Sequence, residues 1–221
     1  MSGGSAIRRL TFGGNNRAPV WSRDGKRVVF QSDREGDQGI WWQAADGGTP
    51  ERLTRAEPGT FHMPESWSPV DDVLVYSVTR DTETTLWIFS LRDRTSSPFG
   101  DVISAYVPTD AVLSPDGRWI AYQLGDPARF GAASLYVRPF PPTETKYEIV
   151  HGGRPMWSPD GRELFFVPTP SEFMAVSVRT QPTVAYSNPI PVLRLFGMAP
   201  PSLPADRSRR CPICRRISDR S

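Results

Sequence analysis

Short apolar runs alternate with polar turns along most of the chain, and the same arrangement recurs at a regular interval. Four segments align without gaps, each running from a large apolar residue through a polar turn to an aromatic residue. They cover residues 21–30, 67–76, 113–122 and 157–166, so their starts lie 46, 46 and 44 residues apart. This period is the length of one propeller blade. The pattern therefore predicts an all-β fold, a β-propeller of four-stranded antiparallel blades with about four blades present as a partial or open ring.

Each repeat contains the parts of one blade. The Ser-Pro-Asp-Gly sequence, complete in the third and fourth repeats, is a tight turn, because Pro presets φ, Asp bonds its own backbone and Gly accepts positive φ. It joins an inner strand to a second strand, such as residues 27–31. Third strands are predicted at residues 40–43, 86–89, 135–137 and 173–178, and an outer edge strand at residues 52–54.

Large apolar residues at the two ends of each repeat are predicted to fill the layer between neighbouring blades. We call the first residue of each repeat its anchor: Trp21, Trp67, Leu113 and Trp157. The strand-end aromatics close the repeats: Phe30, Tyr76, Tyr122 and Phe166.

The repeat resembles a known family. Trp-Ser-Pro-Asp-Gly-Arg before an apolar strand, followed by Gly-Gly and Arg-Leu-Thr, is similar to the WD-like repeat of TolB-type propellers. That repeat also occurs in the propellers of tricorn protease and prolyl-oligopeptidase relatives and in sensor domains of bacterial serine/threonine kinases. The resemblance covers roughly residues 2–196. It implies the fold, a ring of six or more blades in complete members and a location that is often periplasmic, but no single function, because the fold serves scaffolds and enzymes alike.

Three divisions of the chain follow from the repeat. Residues 3–11 mirror residues 47–54 with one extra residue, so residues 1–12 are predicted to be the outer strand of a preceding blade. Residues 13–196 form the four blades, and residues 197–221 are expected to be a disordered Arg- and Pro-rich tail. An open arc exposes strand edges, so self-association through the open blade edges is expected.

Charge narrows the class of partner. The net charge of +2 divides into +5 for residues 207–221 and −3 for the rest of the chain. A mildly acidic body argues against nucleic acid, which needs clustered Lys and Arg. No apolar run is long enough to insert in a membrane, and residues 1–5 lack the apolar stretch of a secretory signal, so the chain as written is expected to stay in the cytoplasm. The only cysteines, Cys211 and Cys214, form half a zinc knuckle without a second ligand pair.

Candidate ligand-binding residues lie in four segments that lead from one blade into the next, residues 13–19, 60–66, 106–112 and 150–155. We call them the channel-mouth segments. Both histidines of the chain fall in equivalent segments, five and six residues before their anchors. The polar residues predicted to bind a ligand there are Asn16, Arg17, His62, Glu65, Asp110, His151 and Arg154. If a metal is bound, its predicted ligands are Glu65, Asp110, His62 and His151.

Two main functions remain open at this point. Gly-x-Ser-x-Gly and phosphate-binding loop motifs are absent from the sequence, which favours a non-catalytic domain that binds a protein, peptide or other ligand without a cofactor. The alternative is a calcium-dependent hydrolase that opens small esters, lactones or glycosides at the propeller channel. A third hypothesis, a gating domain of a protease, requires a catalytic domain elsewhere.

Overall fold

Four antiparallel sheets, one for each sequence repeat, make up the structure. A computed structural model describes residues 9–129, 131–181 and 183–192, and no helix occurs in these ranges. Blade 1 contains β1 (Asn16–Trp21), β2 (Arg27–Ser32), β3 (Gly39–Ala44) and β4 (Glu51–Arg52). Blade 2 contains β5 (Thr60–Trp67), β6 (Val73–Arg80), β7 (Glu83–Ser90) and β8 (Thr95–Ala105).

The second half of the chain repeats this order. Blade 3 contains β9 (Val112–Leu113), β10 (Trp119–Gly125), β11 (Ala133–Pro139) and β12 (Tyr147–His151). Blade 4 contains β13 (Gly153–Trp157), β14 (Glu163–Val167), β15 (Met174–Arg179), β16 (Ala185–Tyr186) and β17 (Ile190–Pro191). Within each blade the strands pair in chain order, and in blade 4 both β16 and β17 pair with β15. The predicted all-β propeller of four-stranded blades is confirmed.

The turns behave as their sequence predicts. The serine hydroxyl donates a hydrogen bond to the turn aspartate, at 2.7 Å in blade 1 and 2.6 Å in blades 3 and 4. The glycine of each of these turns has a φ near +70°, which only glycine adopts without strain. In blade 2, Asp71 stands at the position of the turn glycine. Ser68 Oγ there accepts hydrogen bonds from the backbone N–H groups of Val70 and Asp71.

Each anchor packs against the blade that precedes it. Trp157 of blade 4 is 8% exposed and lies in one apolar cluster with Leu135 and Val137 of blade 3. Leu113 of blade 3 lies in the same way against Val75 of blade 2. The strand-end aromatics are all buried, as predicted. Trp21 differs, with 51% of its surface exposed, because no described blade precedes it.

Strand boundaries differ from the prediction at the end of β4 and at the start of several inner strands. Residues 53 and 54 do not continue β4, because the N–H groups of Leu53 and Thr54 both donate to the Ile40 carbonyl. Much of the channel-mouth segments belongs to inner strands, since β1, β5 and β13 begin earlier than predicted.

The described residues before blade 1 form no strand and pack against blade 1 itself. Residues 9–12 carry no strand, and Leu10 packs against Val28, Phe30 and Trp41 of blade 1. The Gln43 side chain also donates a 2.8 Å hydrogen bond to the Leu10 carbonyl. Residues 1–8 and 193–221 lie outside the described residues, so the predicted boundaries at residues 12 and 196 stay predictions. Within the described ranges, no helix has the length and apolar character needed to cross a membrane.

Candidate binding site at the channel-mouth segments

The inner strands are irregular at the residue three positions before the anchor. Strand pairing shifts between residues 17 and 20 in β1, between residues 64 and 66 in β5 and between residues 153 and 156 in β13, which is a β-bulge or a similar irregularity. Ala18, Asp110 and Arg154 occupy this position in blades 1, 3 and 4, with φ values of 47°, 43° and 55°. Blade 2 has Pro64 instead. Non-glycine residues rarely adopt positive φ, and bulges commonly redirect a side chain next to a binding site.

Glu65 on β5 holds the segment that leads into blade 3. Its two carboxylate oxygens accept hydrogen bonds from the Thr109 hydroxyl at 2.9 Å and from the Ala111 N–H at 2.8 Å. Burial raises the pKa of Glu65, although these hydrogen bonds oppose the rise. The carboxylate therefore connects blade 2 to blade 3.

Gln123 makes the corresponding connection between blades 3 and 4. Its Nε2 donates to Asp110 Oδ2 and to the Pro108 carbonyl, each at 2.9 Å, and its Oε1 accepts from the Arg154 N–H at 3.0 Å. A Cβ at Gly153 would lie 1.7 Å from Gln123 Oε1, so this close approach requires glycine. Burial raises the pKa of Asp110, and the charge of Arg154 opposes the rise.

The two histidines lie in different surroundings. His62 is buried on β5, where its Nδ1 is 2.8 Å from Thr54 Oγ1 and its ring centroid is 5.4 Å from that of Tyr76. Burial lowers the pKa of His62. His151 is exposed at the end of β12, with its Nδ1 3.0 Å from Ser134 Oγ. Their shared position in the sequence therefore does not give them equivalent positions in the fold.

The remaining predicted residues lie at the start of β1. The Asn16 amide donates to the carbonyls of Gly13 and Gly14, and its oxygen accepts from Arg34 at 3.0 Å. Arg17 is exposed, and no hydrogen bond or ion pair joins its guanidinium to another described residue.

Comparison with known proteins supports the fold more than any activity. No protein-family model matches the chain. A protein assigned as TolB from Agrobacterium tumefaciens has a TM-score of 0.64 at 19% identity, over 85% of this chain and 68% of that one. TolB from Acinetobacter baumannii has a TM-score of 0.61 at 19% identity, over 78% of this chain and 43% of that one. The fold is a TolB-type β-propeller.

A further structural neighbour of this TolB-type propeller is an enzyme, and one relative in sequence is uncharacterized. A gluconolactonase from Xanthomonas campestris has a TM-score of 0.55 at 16% identity, over 79% of this chain and 60% of that one. An uncharacterized protein of Agrobacterium fabrum is 39% identical over 69 residues, which are 31% of this chain and 23% of that protein. The chain thus spans less than half of the Acinetobacter TolB and less than a quarter of this relative.

The predicted metal ligands do not form a metal-binding cluster in the described part of the TolB-type propeller. Among the described residues, no three His, Cys, Asp or Glu side chains lie close enough together to hold a metal ion. Glu65 instead accepts from the backbone of blade 3, and Asp110 accepts from the Gln123 side chain within blade 3. Sequence reasoning also missed Gln31 and Gln123, although both directly follow a strand-end aromatic and could have been found by aligning the repeats one residue further.

A larger cleft lies at the other end of the inner strands of the TolB-type propeller. It has a volume of about 1110 Å³ and opens between the Ser-Pro-Asp-Gly turns of blades 3 and 4. Its charged lining mixes three arginines with three acidic residues: Arg118, Arg162, Arg179, Asp116, Asp160 and Glu163. Because the charges balance, the cleft has no net charge that would select one class of ligand.

Proposed function

We propose that this TolB-type propeller is a non-catalytic domain that binds a protein or peptide at its channel-mouth segments. The observation that supports this proposal most strongly is that the Glu65 and Asp110 carboxylates accept hydrogen bonds from other residues of the chain. Glu65 uses both oxygens to hold residues of blade 3, and Asp110 is bonded to Gln123. A general base needs an oxygen within hydrogen-bond reach of its substrate. Both oxygens of Glu65 and one oxygen of Asp110 are already hydrogen-bonded to other described residues.

The exposed side chains at the channel mouth favour a ligand rich in hydrogen-bond acceptors. Arg17 and Arg154 are exposed there, and together they present two cationic groups on the side where peptide carbonyls and carboxylates would approach. Extended peptides carry such acceptors at regular spacing, so a peptide segment of a partner protein fits this surface.

Selection from a random peptide display library tests this proposal. Peptides that bind the wild-type chain are expected to lose at least tenfold in affinity for the Arg17→Ala, Arg154→Ala double variant. Arg162→Ala is the matched control, because it removes an arginine from the cleft at the opposite end. Loss of binding in the control alone would place the partner in that cleft and refute the proposal.

The hydrolase alternative is tested on the same preparation. Purified protein is incubated with small esters, lactones and glycosides, with and without calcium, and with a chelator. We expect no turnover above the rate without protein. Calcium-dependent turnover that is lost in a Glu65→Gln, Asp110→Asn variant would replace binding by catalysis as the function.

We also propose that a second copy of the chain covers the outward face of blade 4. Strand register aligns Met156, Phe165, Ala175 and Ile190 across this face, which we call the end face. Met156 and Ile190 are 51% and 55% exposed, whereas Ala175 between them is only 2% exposed. The residues equivalent to Phe165 in blades 1–3 are completely buried by the following blade: Val29, Val75 and Ala121.

Two end faces pressed together would form a closed, isologous dimer, in which each copy covers the apolar face that a following blade covers in blades 1–3. The opposite face of blade 1 is less suited, because Leu10 already packs against its core. Light scattering after gel filtration should give twice the chain mass. A Met156→Asp, Ile190→Asp variant should be a monomer, while Ile103→Asp, at an equally exposed residue of β8, should remain a dimer. A monomeric wild-type chain would refute the proposal.

A further inference from the structure

Blades 1 and 3 carry the same glutamine at the same place, with different surroundings. Gln31 follows the strand-end aromatic Phe30, and Gln123 follows Tyr122. Both side chains are buried, with 4% and 6% of their surface exposed. Each lies opposite the inner strand of its own blade, so the repeat predicts the same hydrogen bonds for both.

The partners of Gln123 have no counterpart in blade 1. Where Asp110 accepts from Gln123 in blade 3, blade 1 has Ala18, which has no carboxylate. Where Arg154 donates its N–H in blade 4, blade 2 has Pro64, which has none. The Gln31 Nε2 group is accordingly buried without a hydrogen-bond partner among the described residues. Such a group costs free energy unless something pairs with it.

A small polar cavity lies beside this unpaired amide. Its volume is about 80 Å³, and every residue that lines it is polar: Asn15, Arg17, Gln31, Asp33 and Gln38. The Asp33 oxygens accept 2.7 Å hydrogen bonds from the backbone and side-chain N–H groups of Asn15. These bonds, with a smaller contribution from the charge of Arg17, lower the pKa of Asp33, so Asp33 is a carboxylate whose acceptors are engaged by Asn15. The Arg17 guanidinium makes no hydrogen bond or ion pair with another described residue, and it interacts with Asp33 only through its charge. The unused groups are therefore donors, and one of them is cationic.

We propose that this cavity binds a carboxylate group of a ligand, which pairs with Gln31 and Arg17 in the way that the Asp110 carboxylate pairs with Gln123 in blade 3. A carboxylate accepts from several donors at once and is stabilised by a guanidinium, whereas water supplies no charge. The volume accommodates a carboxylate head group, since one water occupies about 30 Å³ of liquid. This inference rests on the proposed peptide-binding function in one respect only, namely which molecule supplies the carboxylate. The carboxylate is that of an acidic side chain, a peptide C-terminus or a free small acid.

Acetate is the probe for the site itself. The Gln31 side-chain amide signal is followed by NMR while acetate is added to the full chain, and acetamide serves as the neutral probe of the same shape. We expect a saturable shift with acetate, and affinity at least tenfold weaker for acetamide. A shift that does not saturate would mean that the cavity binds no carboxylate, and equal binding of both probes would mean that it does not recognise the negative charge. Either result would overturn the proposal.

Variants that fill or remove the site make the test specific. Ala18→Asp supplies the carboxylate from the chain itself at a position where Asp110 already shows that aspartate adopts this conformation, and it should weaken acetate binding at least tenfold. Arg17→Gln should weaken it several-fold. Ala128→Asp is the matched control, because it adds the same charge at an exposed residue of blade 3 and should change affinity less than twofold. Unchanged acetate binding by Ala18→Asp would refute the assignment.

Selected peptides separate this site from the broader function. If their binding is lost both in Ala18→Asp and when their acidic residues are replaced by the corresponding amides, the carboxylate comes from the peptide. If acetate binds but no peptide is selected, the site stands with a small acid as its ligand and the proposed function fails. If peptides bind the wild type and Ala18→Asp equally while the Arg17 and Arg154 substitutions weaken them, the function stands and the peptide is refuted as the source of the carboxylate.

Discussion

Glu65 provides the sharpest test of how the blades are joined. Its two acceptors pair with donors in fully buried residues, since Thr109 and Ala111 are 0% and 2% exposed. Glu65→Ala leaves the Ala111 N–H buried and unpaired, at a cost of about 1–3 kcal/mol. The Thr109 hydroxyl can rotate toward another acceptor, so its loss adds about 0.5–1.5 kcal/mol. We expect the free energy of unfolding to fall by about 2–4 kcal/mol.

Glu65→Gln separates hydrogen bonding from charge. The amide oxygen can accept from the Ala111 N–H while the amide N–H₂ donates to the Thr109 hydroxyl, so at neutral pH this variant should stay within about 1 kcal/mol of the wild type. Urea unfolding followed by tryptophan fluorescence measures both variants. A change below about 0.5 kcal/mol for Glu65→Ala, or an equal loss in both variants, would refute the assigned hydrogen bonds.

The pH dependence has a definite sign. Because burial raises the pKa of Glu65 above its ordinary value of 4.5, the folded chain keeps this proton to higher pH than the unfolded chain does. The resulting contribution is fully present below pH 4.5 and is lost as the pH rises through the raised pKa. Asp110 acts in the same direction, but it is common to both proteins. The stability of the wild type relative to Glu65→Gln should therefore decrease as the pH rises above 4.5, and an increase would contradict the raised pKa.

Three further changes test packing and boundaries. Trp157→Ala should cost about 3–5 kcal/mol of unfolding free energy and Arg162→Ala only about 0.5, because the tryptophan is 8% exposed and the arginine side chain 84%; similar melting temperatures would refute the assigned core. Gly153→Ala should lower the melting temperature by several degrees, because its Cβ would meet Gln123 Oε1, and a neutral result would mean that this glutamine moves freely. Truncation after Phe196 should leave circular dichroism and thermal stability unchanged, because the Arg- and Pro-rich composition of the removed residues offers little apolar surface to bury. A clear loss of stability would show that these residues pack on the blades.

The amino-acid sequence by itself determined the blades, their turns and most of their core. These features are local: Ser158, Pro159, Asp160 and Gly161 form their turn with each other, and the apolar runs on either side need only alternate to place residues between blades. A repeated sequence also allows a check, because equivalent positions in the other copies support the assignment made for one copy. This is why the buried strand-end aromatics could be predicted from position alone.

Only the tertiary structure decided what the polar residues do. Glu65 meets Thr109 across 44 residues of chain, and Gln123 meets Arg154 across 31, so which groups are paired depends on how one blade lies against the next. The sequence placed His62 and His151 in equivalent segments, yet a small shift in where the strands begin buries one and exposes the other. Strand register and bulges change side-chain direction residue by residue, and a periodic pattern carries too little information to fix them.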